Sequence, residues 1–249
     1  LSYTDWGTEV INNSSGNTIK TFEAATPAFN NLFKPVEDKS KHKNTFGINS
    51  EVKIIGTIMR NQRRKLYPDL FRCFREILDK TKNNSLYLYC HTSYPDNNGW
   101  DIPALIKEYK VSNKVILTYV CEKCGAVTPT LFQDTIAMCP SCNYFACKPA
   151  DVNTGVETEI LSQIINVFDV YVQYSVCESP GMPIVEAAAC GVPIVGVDYS
   201  GMGELVRELG GYYIKPQAFT TELETGRLFA VPDHKQFVDT MVNILNLPE

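Results

Sequence analysis

No apolar run in this 249-residue chain approaches the roughly 20 consecutive residues of a membrane helix, so no membrane span is expected. Leu1 to Val10 hold no basic segment followed by an apolar one, which removes the pattern of a secretion signal. The chain begins with Leu instead of Met and reads as a piece of something longer. Histidine is scarce, at three residues, and cations are outnumbered: 23 Lys and Arg against 28 Asp and Glu leave a formal net charge of -5. Such an acidic balance, with no basic patch, argues against a nucleic-acid partner. The remaining composition, 44% hydrophobic and 20% charged, is that of a globular protein long enough to bury a substantial core.

Cysteine is plentiful. The nine cysteines are an odd number, which a closed set of disulfides cannot use up. Four of them, Cys121, Cys124, Cys139 and Cys142, form C-x2-C-x14-C-x2-C. Each two-residue spacer folds into a knuckle that aims both sulfurs at one point, and two such knuckles make a tetrahedral zinc site. Cys147 is a substitute ligand that the two symmetric pairs do not require. Four thiolates leave no open coordination position, so the zinc is expected to be structural. Free thiolates that hold a metal point to a reducing, cytoplasmic location.

Three zones follow one another. Residues 1–50 are rich in Asn, Ser, Thr and Lys with little periodicity, and are expected to form a linker or strap. From 51 to 249, β-branched and aromatic runs such as VKIIGTI, SLYLYCH, KVILTYV and DVYVQYS alternate with helical stretches. That alternation predicts an α/β fold, a Rossmann-like parallel sheet with helices on both faces. The cysteine segment, 119–148, interrupts the alternation and is expected to be an inserted zinc ribbon.

In open α/β sheets ligands lie beyond the carboxyl ends of the strands. VKIIGTI is followed by MRNQRRK, which places Arg60, Arg63, Arg64 and Lys65 before a helix. The macrodipole disfavours cations there, and a phosphate or diphosphate would resolve the conflict. DVYVQYS is followed by ESPGMPIVEAAACGVP, where Glu178 and Glu186 flank a helix start. Gly181 allows close backbone approach, and Pro183 suits a first helical position. Two carboxylates on one cleft could accept hydrogen bonds from vicinal sugar hydroxyls, and the helix amides could meet a phosphate.

The order GTIMRNQRRK, LYLYCHT, NNGWDIPALI, NVFDVYVQYSVCESPGMPIVEAAACGVPIV and SGMGELV resembles the donor-binding C-terminal half of retaining glycosyltransferases of family 4, which have GT-B architecture. The resemblance spans roughly residues 50–245 and centres on E-x7-E, here Glu178 to Glu186. It implies that Glu178 touches the transferred sugar and Glu186 holds the ribose hydroxyls. It implies that Arg60 and Lys65 bind the donor diphosphate, with Arg64 as the fallback in register. The backbone of Gly181, Met182 and Ile184 would lie against the sugar and α-phosphate. The implied activity is transfer of a hexosyl group from a UDP- or GDP-sugar, with Glu178, Arg60 and Lys65 as catalytic residues and no catalytic Mg2+.

This chain departs from the family in three ways. Pro180 stands where family members usually have an aromatic residue, which removes a backbone donor. The cysteine insert follows KVILTY, near the position that lines the nucleobase. The acceptor-binding half, which precedes this region in the family, is not in the sequence and would be needed in cis for efficient turnover. Glu204 in SGMGELV is a further candidate for positioning the diphosphate. His91 reads as a satisfied structural histidine, His42 and His234 as surface, and Trp100 as packing for a helix start that Asp101 caps. Two other readings stand beside the transferase: a zinc ribbon that docks a protein on an α/β scaffold, and a noncatalytic nucleotide-sugar sensor.

Overall fold

The computed structural model describes residues 2–22 and 31–247. Of the expected strap, Leu1 and residues 23–30 lie outside the described residues. The rest of it contains two short helices that its weak periodicity did not announce. The first, α1 (Asp5–Ser15), starts on Thr4, whose side chain accepts from Gly7 N at 3.0 Å. The second, α2 (Lys39–Thr45), starts on Asp38, which accepts from Lys41 N at 2.8 Å. These helices are set by caps and by side-chain tethers to the body. The buried Lys43 ammonium donates to Val52 O at 2.8 Å and to both Asp169 oxygens at 3.0 and 2.8 Å, which ties α2 to the body.

The body begins with β1 (Lys53–Ile58), α3 (Tyr67–Thr81), β2 (Leu86–His91), α4 (Ile102–Glu108) and β3 (Val115–Cys121). Next come β4 (Val127–Leu131), β5 (Ala137–Met138) and β6 (Phe145–Pro149) of the cysteine segment. The alternation then resumes with α5 (Thr158–Ile165), β7 (Val170–Gln173), α6 (Met182–Ala189), β8 (Ile194–Val197), α7 (Ser200–Glu208) and β9 (Tyr212–Ile214). A hairpin, β10 (Pro216–Thr221) with β11 (Leu228–Pro232), and helix α8 (His234–Leu245) complete it.

Apart from the cysteine segment, the sheet runs β3-β2-β1-β7-β8-β9, with every neighbouring pair parallel. Chain order moves one way from β1 to β3 and the other way from β7 to β9. Right-handed crossovers in opposite directions put α3 and α4 on one face and α6 and α7 on the other, and α8 returns to pack against α3, where Lys80 meets Asp239 at 3.0 Å. The strands are buried on both sides, which accounts for their near-continuous apolar runs. The order reverses between β1 and β7, where Ile55 pairs with Val170. At such a reversal the two outgoing loops diverge and leave a crevice.

Strand β3 is shared. Its first half pairs with β2, while its second half extends past the end of β2 and pairs with β6. On its other edge it pairs antiparallel with β4 along Ile116 to Val120. The cysteine segment is therefore continuous with the main sheet at its carboxyl rim.

Candidate functional site

The loop after β1 and the loop after β7 meet at the reversal. Lys65 and Ser175 form an isolated antiparallel bridge, flanked by Leu66 N donating to Tyr174 O and Val176 N donating to Arg64 O, each at 3.0 Å. This backbone seam fixes Lys65 and Arg64 opposite Glu178. Both cations donate to Glu178 Oε1, and Ser175 Oγ adds a third bond at 3.1 Å. From the other side Glu178 N donates to Ser200 Oγ at 2.9 Å. Lys65 and Glu178 are nearly closed off, with side-chain exposures of 7% and 8%, while Arg64 reaches solvent at 38%. Among the described residues Glu178 Oε2 has no hydrogen-bond partner, which leaves a carboxylate oxygen for a ligand hydroxyl.

The electrostatics follow from this packing. Burial would push the Glu178 carboxyl up, but the Arg64 hydrogen bond and the Lys65 charge outweigh it and hold it below the ordinary range. Lys65 holds its proton less tightly than a free lysine, because burial and the Arg64 charge outweigh the attraction of Glu178. Glu186 is raised by burial. Burial lifts the Tyr171 phenol far above its usual range, and the charges of Glu178 and Glu186 add to the rise.

The expected residues do not all converge. Arg60 stands apart from Glu178, 54% exposed, with Nε 3.4 Å from Asp96 Oδ2. Arg64, the fallback, occupies the position on Glu178 beside Lys65. Pro183 is the second helical residue instead of the first, and Glu186 is the fifth, in the second turn, because α6 starts at Met182. Gly181 takes φ +42°, a left-handed conformation that favours glycine. Its amide donates to Ser179 O, and the Ile184 amide donates to Gly181 O at 2.9 Å. Of the three residues expected to offer backbone to a ligand, Met182 is the one whose amide has no partner among the described residues. Glu204 accepts from Asp5 N at 2.9 Å and Trp6 N at 2.8 Å, so its carboxylate holds the start of α1.

His91 ends β2 with Nδ1 2.8 Å from Thr118 Oγ1, and burial pushes its pKa down to about 4, which keeps the ring neutral. His234 is less of a surface residue than expected: Nδ1 lies 2.8 Å from Tyr174 Oη, and its side chain is 23% exposed. A cavity of about 190 Å3 at the rim is lined by Arg60, His91 and Ser93, and by Ala150 to Val152, which follow β6. The residues that follow the cysteine segment thus line this cavity opposite the ends of β1 and β2.

The four cysteines of the two knuckles converge. Their sulfurs all lie within 4.8 Å of one another, with Cys121 to Cys142 and Cys124 to Cys139 both at 3.7 Å. Zinc–sulfur bonds of about 2.3 Å at tetrahedral angles require sulfur separations near 3.8 Å, so the donor set fits that metal. Gly125 and Asn143, each following the second cysteine of its knuckle, take φ of +73° and +57°, a conformation those two residue types tolerate. Amides of Lys123 and Cys124 point at Cys121, and those of Ser141 and Cys142 at Cys139. Cys147 pairs across from Cys121 in the β3–β6 register but stands outside the cluster.

Residues 152–249 match the family model described as glycosyl transferases group 1. No curated protein sequence matches the chain. Among solved structures, sucrose-phosphate synthase from Thermosynechococcus elongatus is similar at 17% identity and a TM-score of 0.63, over 98% of this chain and 48% of that one. Anabaena HepE, in complex with UDP and glucose, gives 14% identity and a TM-score of 0.64 over 98% and 53%. The C-terminal domain of LpcC, a glycosyl transferase group 1 family protein from Francisella tularensis, gives 13% and 0.53 over 87% and 86%. At these identities the likeness establishes the fold, the Rossmann-like domain of GT-B glycosyltransferases. The chain spans about half the length of the first two.

Sequence reasoning missed several residues here. Ser175 is an ordinary loop serine until the seam brings it onto Glu178, and Ser200 reaches the Glu178 amide from the start of α7. Asn61 was likewise missed; Trp100, expected as packing for the helix start that Asp101 caps, also braces the cationic segment from behind together with Asn61.

Proposed function

We propose that this chain is the donor-binding half of a retaining glycosyltransferase that moves a hexosyl group from a UDP- or GDP-sugar. The observation that carries the reading is the buried contact of Lys65 with Glu178 at the reversal between β1 and β7. Lys65, with Arg60 swinging in from Asp96 and Arg64 beside it, neutralises the departing diphosphate, the largest electrostatic need of such a transfer. Glu178 offers Oε2 to the transferred sugar, Glu186 accepts from the ribose, and the Met182 amide at the start of α6 meets a phosphate oxygen. Gly181 and Ile184 shape the backbone beneath the sugar. No Mg2+ takes part in this scheme.

The acceptor site belongs to a further half that this reading requires in cis. Residues 51–249 then form the nucleotide-sugar domain, 1–50 the strap leading into it, and 119–148 the insert. Cys121, Cys124, Cys139 and Cys142 hold one structural zinc, which clamps the end of the shared strand β3. Among the described residues no helix is long and apolar enough to cross a membrane. None of the nine cysteines is in a disulfide, and thiolates that hold zinc fit a reducing, cytoplasmic setting.

A thermal-shift panel tests the reading, because a ligand that binds only the folded state raises the melting temperature. UDP or GDP should raise it more than the corresponding monophosphate, and no response to any nucleotide would overturn the assignment.

A second reading, that the ribbon docks a protein, is favoured by one observation. Ile136, Met138, Tyr144 and Phe145 lie exposed on it, Phe145 at 74%. Loss of a copurifying partner on Phe145→Ser, with nucleotide binding intact, would support that role.

A further inference from the structure

The segment that carries the cations is held from behind by one loop, residues 92–101 between β2 and α4. Asn61 is fully buried and spends its whole side-chain amide on a single residue: Nδ2 donates to Trp100 O and Oδ1 accepts from Trp100 N, each at 2.8 Å. The Trp100 indole in turn donates to Lys65 O at 2.7 Å. The Arg63 guanidinium lies over the same ring, 5.1 Å from its centre. A Cβ on Gly99 would fall 2.5 Å from the Asn61 side chain and 2.7 Å from its carbonyl oxygen, so the two loops approach too closely for any side chain there.

We propose that Asn61 and Trp100 are positioning residues that set the Lys65 backbone so that its ammonium stands against Glu178, and that through Lys65 they set affinity for the diphosphate of the donor. This deepens the donor-site reading and rests on it. Lysine is a point charge on a flexible four-carbon stem, so where the ammonium sits depends on where the backbone is held. The Lys65 main chain is fixed by the seam with Ser175, by its amide on Gln62 O at 2.9 Å, and at its carbonyl by the Tyr67 amide and the indole together, of which only the indole comes from another loop. Breaking the seam would unfold the rim, whereas removing the indole N–H leaves the Lys65 carbonyl with the Tyr67 amide alone, at 2.9 Å, and loosens its placement without undoing the fold. A misplaced charge weakens the binding of a doubly charged group while the rest of the fold stays intact.

Calorimetric titration of UDP and GDP into wild type, Trp100→Phe, Lys65→Gln and the double variant tests this as a mutant cycle, with thermal unfolding confirming that each is folded. Trp100→Phe should bind the preferred diphosphate on the order of tenfold more weakly, the scale of one lost hydrogen bond. In the Lys65→Gln background the same change should cost less than about twofold, because the two act on one interaction. Equal losses in both backgrounds, or no loss in either, would overturn the positioning role and leave the donor site standing. A wild type that binds neither diphosphate would overturn the donor-site reading and this inference with it. If Trp100→Phe does not fold, Asn61→Ser, which releases Trp100 without altering its ring, goes through the same cycle with the same expected and contrary results.

Discussion

The Lys65 ammonium rests on the Glu178 carboxylate and joins the loop that leaves β1 to the loop that leaves β7. Both side chains are nearly sealed from solvent, and a second cation, Arg64, shares the same oxygen. A charge cluster this dry is costly unless its geometry is complete, and here it sits where an open sheet forms its ligand crevice.

Stability should report the pair directly. The folded-state pKa of Glu178 lies below its ordinary value, so the ionised pair stabilises the fold above the unfolded value of about 4.3 and that contribution is lost as pH falls through the folded pKa. Lys65→Gln should cost about 3 kcal/mol at neutral pH, because it leaves a buried carboxylate under-compensated. Its Glu178 would protonate at higher pH than in wild type, so the gap between the two should narrow on acidification. Urea unfolding at pH 7 and pH 4 measures this, and a gap that is the same at both would contradict it.

How much of this was legible in the sequence depends on whether a feature is periodic or contact-made. The β1–α3–β2–α4–β3 alternation and the resumed β7–α6–β8–α7–β9 run were readable because fully buried parallel strands and amphipathic crossovers leave plain hydrophobic patterns. The cysteine pairs were readable because their spacing fixes their geometry. The β10–β11 hairpin was not: PQAFTT is a mostly exposed strand with no apolar face to mark it. The match of Arg60 with Lys65 by spacing gave no sign that Arg60 lies against Asp96 while Arg64 meets Glu178. Nor could spacing reveal that Ser200, in a left-handed conformation at φ +58°, caps the Glu178 amide from the next crossover.

Glu178→Gln keeps the size and the hydrogen-bonding shape of the side chain but removes its charge. Joined to the acceptor-binding half that the proposed function requires, the variant should show kcat lowered on the order of a hundredfold, the scale of a lost transition-state electrostatic contact. Product formation from a radiolabelled donor measures it. Wild type that binds donor but forms no product with any acceptor, or by hydrolysis, would favour a sensor.

Metal content gives an independent check on the cluster. Four thiolates saturate one tetrahedral ion, so elemental analysis should find one zinc per chain. Cys139→Ser should lose the metal, and Cys147→Ser, outside the cluster, should keep it. Zinc lost equally from both variants would mean that Cys147 is a ligand.

The ribbon cannot be cut out cleanly. Removing 122–146 takes away β4 and uncovers the edge of β3 from Ile116 to Val120. Exposed edges pair with one another, so the shortened chain should associate, as light scattering during size-exclusion chromatography would show. A monodisperse shortened chain would mean that β3 does not depend on the insert for its edge.

The most direct measurement is calorimetric titration of UDP- and GDP-hexoses into the wild-type chain and into Lys65→Gln. The account predicts saturable binding of at least one nucleotide sugar by wild type and a clear loss of affinity in the variant. Absence of binding by all of them, or equal affinity in the two proteins, would contradict it.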